Sequence, residues 1–372
     1  MRPTYAEINL DAINENLGQV RGRVGRRPIV MAVVKANAYG HGMIAVAKSV
    51  LKRRSASYLG VAIVEEGISL RRNNISAHTL VFTVPSENQL RSFIEMKLDA
   101  TVCSLETARK LNRLAAGAGT KAVVHVKVDT GMGRIGIPPS DVVQFVSELK
   151  KLKNITVKGI YTHLATSDER DLGYARGQLS EFKASLKALQ RAGIQIPLRH
   201  CANSGAILQM KDSYFDMVRP GIMMYGYRPS HETRKTLPLK PAMSVRSQIA
   251  FLKRVPKGTS ISYGRRYVTR SATNIGSVAI GYADGISRRL TNKAHAIVNG
   301  RQYPIVGTIC MDQLMIDLGS RDACKVGDRV TLLGKDGTRE ITGWDIADAL
   351  GTIPYEVCCA ISERIPRIYI HG

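Results

Sequence analysis

The sequence is poor in acidic residues: 30 Asp plus Glu stand against 54 Lys plus Arg, a formal net charge of +24 over 372 residues. It has one Trp, and aromatic residues make up only 6% of the chain. No apolar run reaches the roughly 20 residues that a membrane-spanning helix needs. The opening "MRPTYAEINL" lacks the apolar core of a secretory leader, so a cytoplasmic protein is expected. The six cysteines have neither metal-ligand nor C-x-x-C spacing. They read as reduced thiols, and no metal is expected. The basic excess is diffuse, in short clusters such as "KRR" (52–54), "RR" (71–72), "RR" (265–266) and "RR" (288–289). No aromatic-interleaved RNA signature or zinc-finger spacing accompanies it. Nucleic acid and membrane are therefore not the expected partners, despite the charge.

What is present is a period. Eight short runs rich in Val, Ile and Thr recur through the first two thirds: "IVMAVVK" (29–35), "YLGVAIV" (58–64), "TLVFTV" (79–84), "ATVCS" (100–104), "AVVHVKVDT" (122–130), "VKGIYTHL" (157–164), "LRHCANS" (198–204) and "FDMVRPG" (215–221). Continuous apolar runs are what strands buried on both faces require. Stretches with helical spacing, such as "LETARKLNRLAAGAG" and "QLSEFKASLKALQRAGI", lie between them. The alternation predicts an α/β fold, a (β/α)8 barrel. An open doubly wound sheet is the structural rival. It would want a G-x-G-x-x-G turn after its first strand, and none is there.

From about Pro241 the texture changes. "SVRSQIAFLKRV", "ATNIGSVAIGYADG", "AHAIVNGRQYPIVG", "QLMIDLGS" and "GDRVTLLGKDG" alternate apolar with polar residues between glycine turns. This predicts a mainly antiparallel β domain with one wet face, interrupted by one short helix, "GWDIADAL" (343–350). The division falls in the polar stretch "YRPSHETRKTLPLKP" (227–241), giving a barrel domain 1–235 and a β-rich domain 236–372. The first ten or so residues are expected to pair with the second domain.

Active residues of such barrels sit at the C-terminal strand ends. That rule places Lys35, Asp129, Arg134, His163, Asn203, Ser204 and Arg219 on one rim, each after its own apolar run. A lysine at the tip of a buried strand either snorkels to an ion pair or, partly desolvated, serves as a Schiff-base amine. After the seventh run, Ser204 in "ANSGAILQM" is a plausible helix N-cap facing an anion. After the eighth, Gly221 and Ile222 of "RPGIMMYG" could present bare backbone N–H groups to it. An amine and a phosphate cradle on one rim point to pyridoxal phosphate. An arginine such as Arg219 at the pyridine nitrogen would leave that nitrogen unprotonated and favour proton removal and return at Cα.

Nine motifs in order carry a resemblance: "AVVKANAYGHG" (32–42), "VKVDTGMGRIG" (126–136), "YTHLATSD" (161–168), "CANSGA" (201–206), "VRPGIMMYG" (218–226), "SYG" (262–264), "GYADG" (281–285), "GTICMDQ" (307–313) and "PYEV" (354–357). Together they resemble the alanine racemases, over nearly the whole chain. The resemblance implies a homodimer with pyridoxal 5'-phosphate on Lys35, converting L-alanine to D-alanine and back to supply peptidoglycan. It implies Lys35 as one base and Tyr263, from the partner subunit, as the other. A hydrogen-bond chain would run from Tyr263 through His163 to Arg219. Tyr39, Asn203, Ser204, Gly221, Ile222 and Tyr355 would join His163 and Arg219 around the cofactor. Arg134 would bind the substrate carboxylate or the cofactor's phenolic oxygen, and the backbone of Met311 would hold the substrate carboxylate, with Asp312 in support. Lys127 matches a position that is carbamylated in many relatives, and Tyr282 would narrow the entrance with Tyr355. A racemase for another amino acid, a decarboxylase on the same scaffold, and a non-catalytic cofactor- or nucleic-acid-binding protein are the alternatives.

Overall fold

The computed structural model describes residues 3–320 and 324–370. By contacts the chain forms two units. One comprises Ile13–Ala38 and Met43–Lys240; the other comprises Met1–Ala12, Tyr39–Gly42 and Pro241–Gly372. Strand β1 (Tyr5–Asn9) belongs to the second unit.

The first unit is a parallel barrel. Its strands are β2 (Ile29–Val33), β3 (Tyr58–Val61), β4 (His78–Val81), β5 (Asp99–Val102), β6 (Ala122–Lys127), β7 (Ile155–Tyr161), β8 (Leu198–His200) and β9 (Met217–Val218). They pair in the order β8-β7-β6-β5-β4-β3-β2-β9. Between β8 and β9, Asp216 N–H donates to Arg199 O at 3.0 Å and Arg219 N–H to Ala202 O at 2.9 Å, which stitches the remaining seam. The apolar runs become these strands because a parallel strand under a helical layer is buried on both faces. Val30, Met31, Leu59, Leu80, Val124 and Ile160 are all fully buried, each worth roughly 1.5–3 kcal/mol against exposure. The barrel interior is not wholly apolar: Thr79, Thr101, His125, Lys127 and His200 are buried among them.

The second unit is antiparallel. Its strands are β10 (Met243–Val255), β11 (Ser260–Ile261), β12 (Tyr267–Val268), β13 (Thr273–Val278), β14 (His295–Val298), β15 (Arg301–Val306), β16 (Leu314–Gly319), β17 (Arg329–Asp336), β18 (Arg339–Ile341) and β19 (Arg367–Ile370). The main sheet runs β18-β17-β14-β15-β16-β13-β10-β1-β19, and β17 also pairs with β10, so β10, β13, β16, β15, β14 and β17 close on themselves. β1 lies between β10, antiparallel, and β19, parallel. Among its described residues the stretch after β18 holds two α-helices where one was expected: Gly343–Leu350 and, four residues on, Pro354–Ala360. The second starts with a proline, whose fixed φ suits a first helical turn.

Part of the basic excess has a structural use. Arg71 donates to the carbonyls of Ile75 (2.7 Å), Met96 (2.8 Å), Ala77 (3.1 Å) and Lys97 (3.1 Å). In the other unit, Arg367 does the same for Gly40, Ile361, Ser362 and Ile365, at 2.6–3.0 Å. A rigid five-donor fork can close several loop carbonyls at once, which a lysine cannot.

Candidate active site

Lys35 lies two residues past β2, half-buried, and the chain after it turns the unusual way. Ala36, Asn37, Ala38 and Tyr39 have φ of 52°, 52°, 55° and 52°. Each non-glycine residue in that left-handed region costs roughly 1–2 kcal/mol, so something must hold the turn. The Glu66 carboxylate accepts Ala36 N–H at 2.5 Å. Ala38 N–H donates to Val34 O at 2.8 Å, and Asn37 Oδ1 accepts Met43 N–H at 2.8 Å. Small side chains at 36–38 are what this geometry tolerates.

The other rim residues of the barrel follow strand ends in the same way. Lys127 ends β6 and is 1% exposed; its Nζ donates to Val128 O at 2.8 Å and Ile135 O at 3.3 Å. Burial lowers its pKa to about 8. Past it, Asp129 N–H donates to Ile137 O and Ile137 N–H to Lys127 O, both at 2.9 Å, so residues 130–136 loop out and return. Asp129 pins this loop by accepting the N–H groups of Gly131, Met132 and Gly133 at 2.9–3.1 Å. Arg134 is exposed on it.

Arg219, one residue past β9, is 4% exposed and clamped at both terminal nitrogens. Its Nη2 donates to Thr162 O at 2.9 Å and Cys201 O at 3.1 Å and faces His163 Nδ1 at 3.4 Å. Its Nη1 meets His200 Nδ1 at 2.9 Å, and the guanidinium sits 5.5 Å from the Tyr161 ring centre. Burial lowers its pKa, yet a guanidinium stays charged in a protein. Burial and the surrounding cations Arg219, Arg134, Lys127 and Lys35 hold His163 well below the usual imidazole range.

Two sequence expectations need correction at the anion corner. Asn203, not Ser204, caps the short helix Ser204–Gln209: its Oδ1 accepts Ala206 N–H at 3.1 Å and Ser167 Oγ–H at 2.7 Å. The Gly221 N–H is not bare; it donates to Ser204 Oγ at 3.0 Å. A hydroxyl that accepts an amide still has its own proton to donate, so Ser204 is oriented rather than occupied. Ile222 follows in the turn Ile222–Tyr225, fully buried.

The β unit carries the remaining candidates. Tyr263 stands 72% exposed in a turn where Ser262, Gly264 and Arg265 all have positive φ. The turn is tied down by Ser262 Oγ donating to Thr308 O at 2.5 Å and Thr308 Oγ1 donating to Tyr263 O at 2.7 Å. Tyr282 N–H donates to Cys310 O and Ala283 N–H to Met311 O, both at 3.0 Å, which sets exposed Tyr282 beside exposed Met311. Asp312 accepts Arg364 Nη2 at 2.7 Å, and Arg364 Nε lies 3.6 Å from buried Asp284. The Tyr39 and Tyr355 rings meet at a tilt of 47°, centres 5.8 Å apart.

Sequence reasoning missed Glu66, Thr162 and His200. His200 had a signal: a histidine inside a buried apolar run needs a partner. Glu66 had none beyond a helix start, because its acceptor role depends on Ala36, thirty residues away.

An eight-stranded barrel whose C-terminal rim carries a lysine amine, a clamped guanidinium and a hydroxyl-amide turn has the architecture of a barrel enzyme. The comparisons narrow this class. Family models for the alanine racemase N-terminal domain and C-terminal domain match residues 8–229 and 242–369. "Alanine racemase 2" of Caldanaerobacter subterraneus subsp. tengcongensis is 45% identical over 100% of this chain and 96% of its own. The alanine racemase structure from Clostridium difficile 630 superposes with a TM-score of 0.94 at 42% identity, covering 99% of this chain and 96% of that one. A histidine racemase from Leuconostoc mesenteroides subsp. sake superposes with a TM-score of 0.91 at 27% identity, covering 100% and 98%. The chain belongs to the alanine racemase family.

Proposed function

We propose that this enzyme interconverts L-alanine and D-alanine using pyridoxal 5'-phosphate held on Lys35. The carrying observation is that Lys35 shares one barrel rim with the clamped Arg219, which has no carboxylate partner among the described residues. The residues present fit the cofactor. Arg219 Nε and the second N–H of Nη1 meet no protein acceptor among the described residues, so the fork keeps donors for a ring nitrogen. The Ser204 hydroxyl and the Gly221–Ile222 turn, with Asn203 bracing the helix start, supply the phosphate corner. When bound, the cofactor supplies an electron sink that makes the Cα proton of an amino acid removable.

The protein's part is to place two proton-transfer groups and one carboxylate clamp. Lys35 Nζ takes or returns the Cα proton on one face. Tyr263 of a second copy works on the opposite face, because inversion requires the proton to leave one side and arrive on the other. A homodimer with shared sites is therefore part of the proposal, and the 72% exposure of Tyr263 in the single chain supports it. His163, neutral beside Arg219, offers Tyr263 a hydrogen-bond partner without adding charge. Arg134 and the Met311 backbone, with Asp312 steadied by Arg364, hold the substrate carboxylate. Tyr39 and Tyr355 line the cofactor, and Tyr282 with Tyr355 limits side-chain size. The product, D-alanine, would feed peptidoglycan from the cytoplasm. No helix among the described residues is long and apolar enough to cross a membrane.

The test follows protein, added cofactor and L-alanine in heavy water. Loss of the Cα proton and appearance of D-alanine are expected together, and both vanish in Lys35→Ala and Tyr263→Phe. Cofactor binding without either signal would overturn the alanine reading. Since a histidine racemase shares the fold, histidine, serine and lysine are run beside alanine.

A further inference from the structure

A second polar array starts at Arg219 and runs away from the rim, through the barrel interior. Arg219 has no carboxylate partner among the described residues. Its Nη1 can only donate, so His200 Nδ1 accepts at 2.9 Å. A neutral His200 then carries its hydrogen on Nε2, which faces His125 Nδ1 at 3.0 Å. His125 accepts there and donates from Nε2 to the Tyr58 hydroxyl at 3.0 Å. Tyr58 donates its own proton to Asp99 Oδ2. His200 and His125 are fully buried, and Asp99 and Tyr58 are 2% and 3% exposed.

Each step has one permitted direction. Two neutral imidazoles 3.0 Å apart need one donor and one acceptor. Reversing that pair would turn an N–H of His200 against an N–H of Arg219. The fold makes room for the arrangement: a Cβ at Gly159 would overlap the His125 ring, and the β6–β7 register shifts between Val124 and His125. His200 is flanked by Tyr161, stacked at 4.8 Å and 6°, whose hydroxyl is held by Thr101 at 2.8 Å. At the far end Lys158 and His78 lie 3.9 Å from Asp99, and Arg71 also feels its charge. Burial and neighbouring cations hold His200 neutral, and burial dominates for His125.

We propose that Asp99 is a positioning residue for Arg219, acting through Tyr58, His125 and His200. The carboxylate at one end of the barrel sets the donor direction of the chain, and that direction keeps His200 Nδ1 available to clamp the guanidinium at the other end. The chain orients and does not conduct, because a guanidinium does not release its proton. The proposal rests on the reading of Arg219 as the group that faces the cofactor ring.

The test is nitrogen NMR of isotope-labelled histidines in the full chain, with and without added pyridoxal 5'-phosphate, beside alanine racemisation kinetics. In the wild type, His125 and His200 are expected neutral with the proton on Nε2, even before the cofactor is added. Asp99→Asn redistributes the tautomers and lowers kcat roughly tenfold, as outer-shell changes do, with KM changed by less than about twofold. Tyr58→Phe keeps the ring in place and gives a smaller change of the same sign, which serves if Asp99→Asn does not fold. Protonation on Nδ1, or an imidazolium, at either histidine of the wild type overturns the proposal. So does a variant that moves the tautomers and leaves kcat unchanged, or lowers kcat with the tautomers unmoved. A wild type that binds no cofactor overturns the enzyme reading instead, while its tautomers still decide the direction of the chain.

Discussion

The Glu66 carboxylate accepts the backbone N–H of Ala36 at 2.5 Å, and its other oxygen accepts Ala62 N–H at 2.7 Å and Ile63 N–H at 3.3 Å. One side chain thus serves the start of helix Val64–Arg72 and the left-handed turn that follows Lys35. Glu66→Ala removes three hydrogen bonds at once. Stability is expected to fall by about 1–3 kcal/mol, and Lys35 to lose its fixed direction. Thermal unfolding measures the first. Retention of pyridoxal 5'-phosphate through gel filtration measures the second, and a variant that keeps both as in the wild type would refute the role.

Gly136 has φ of +133°, and a Cβ there would lie 2.6 Å from Asp129 N. Backbone, not a flexible side chain, is what it would strike. Gly136→Ala is expected to cost on the order of 2 kcal/mol and to displace the loop that carries Arg134. If Arg134 binds the substrate carboxylate, KM for alanine rises more than kcat falls. Equal KM in the variant would remove Arg134 from that role.

Lys127 is buried with a folded-state pKa of about 8, against 10.5 for the free side chain. A depressed lysine penalises the folded state wherever the unfolded chain is protonated, so the contribution of Lys127 itself, read as the difference from Lys127→Met, should raise stability from about pH 8 towards pH 10.5, by about 3 kcal/mol. Urea unfolding in buffer free of carbon dioxide reads that slope. The same neutral amine can attack carbon dioxide, forming an N–C bond and releasing one proton to give a carbamate. Bicarbonate should then flatten the slope and add an acid-labile mass on Lys127. A slope indifferent to bicarbonate speaks against carbamylation.

Sharing of sites between copies has a direct signature. Lys35→Ala and Tyr263→Phe are each expected to be inactive. Mixed after mild dissociation, they form hybrids in which one site has both native residues, so activity should return to roughly a quarter of wild type. No recovery in demonstrably mixed dimers would place Lys35 and Tyr263 of the same chain together.

The eight apolar runs were legible because burial on both faces leaves a composition that few other elements share. The rim positions of Lys35, Arg219 and Ser204 were legible for a related reason: a polar residue at the end of such a run has one place to go. What escaped was whatever depends on contacts between distant strands. The N–H of Gly221 finds Ser204 only when the ends of β8 and β9 meet. Asn203 takes the cap because its side chain also reaches Leu164 O and Ser167, which the local sequence does not reveal.

The sequence by itself determined the strand period, the change to alternating strands near residue 241, and the family motifs, since all are local patterns of side-chain type. Tertiary structure alone decided that β17 would close on β10, that His200, His125, Tyr58 and Asp99 would meet inside the barrel, and that Glu66 would hold Ala36. The physical reason is common to all three. A hydrogen bond between residues far apart in the chain is set by how twisted strands stack and close, and only the folded backbone fixes which donor reaches which acceptor.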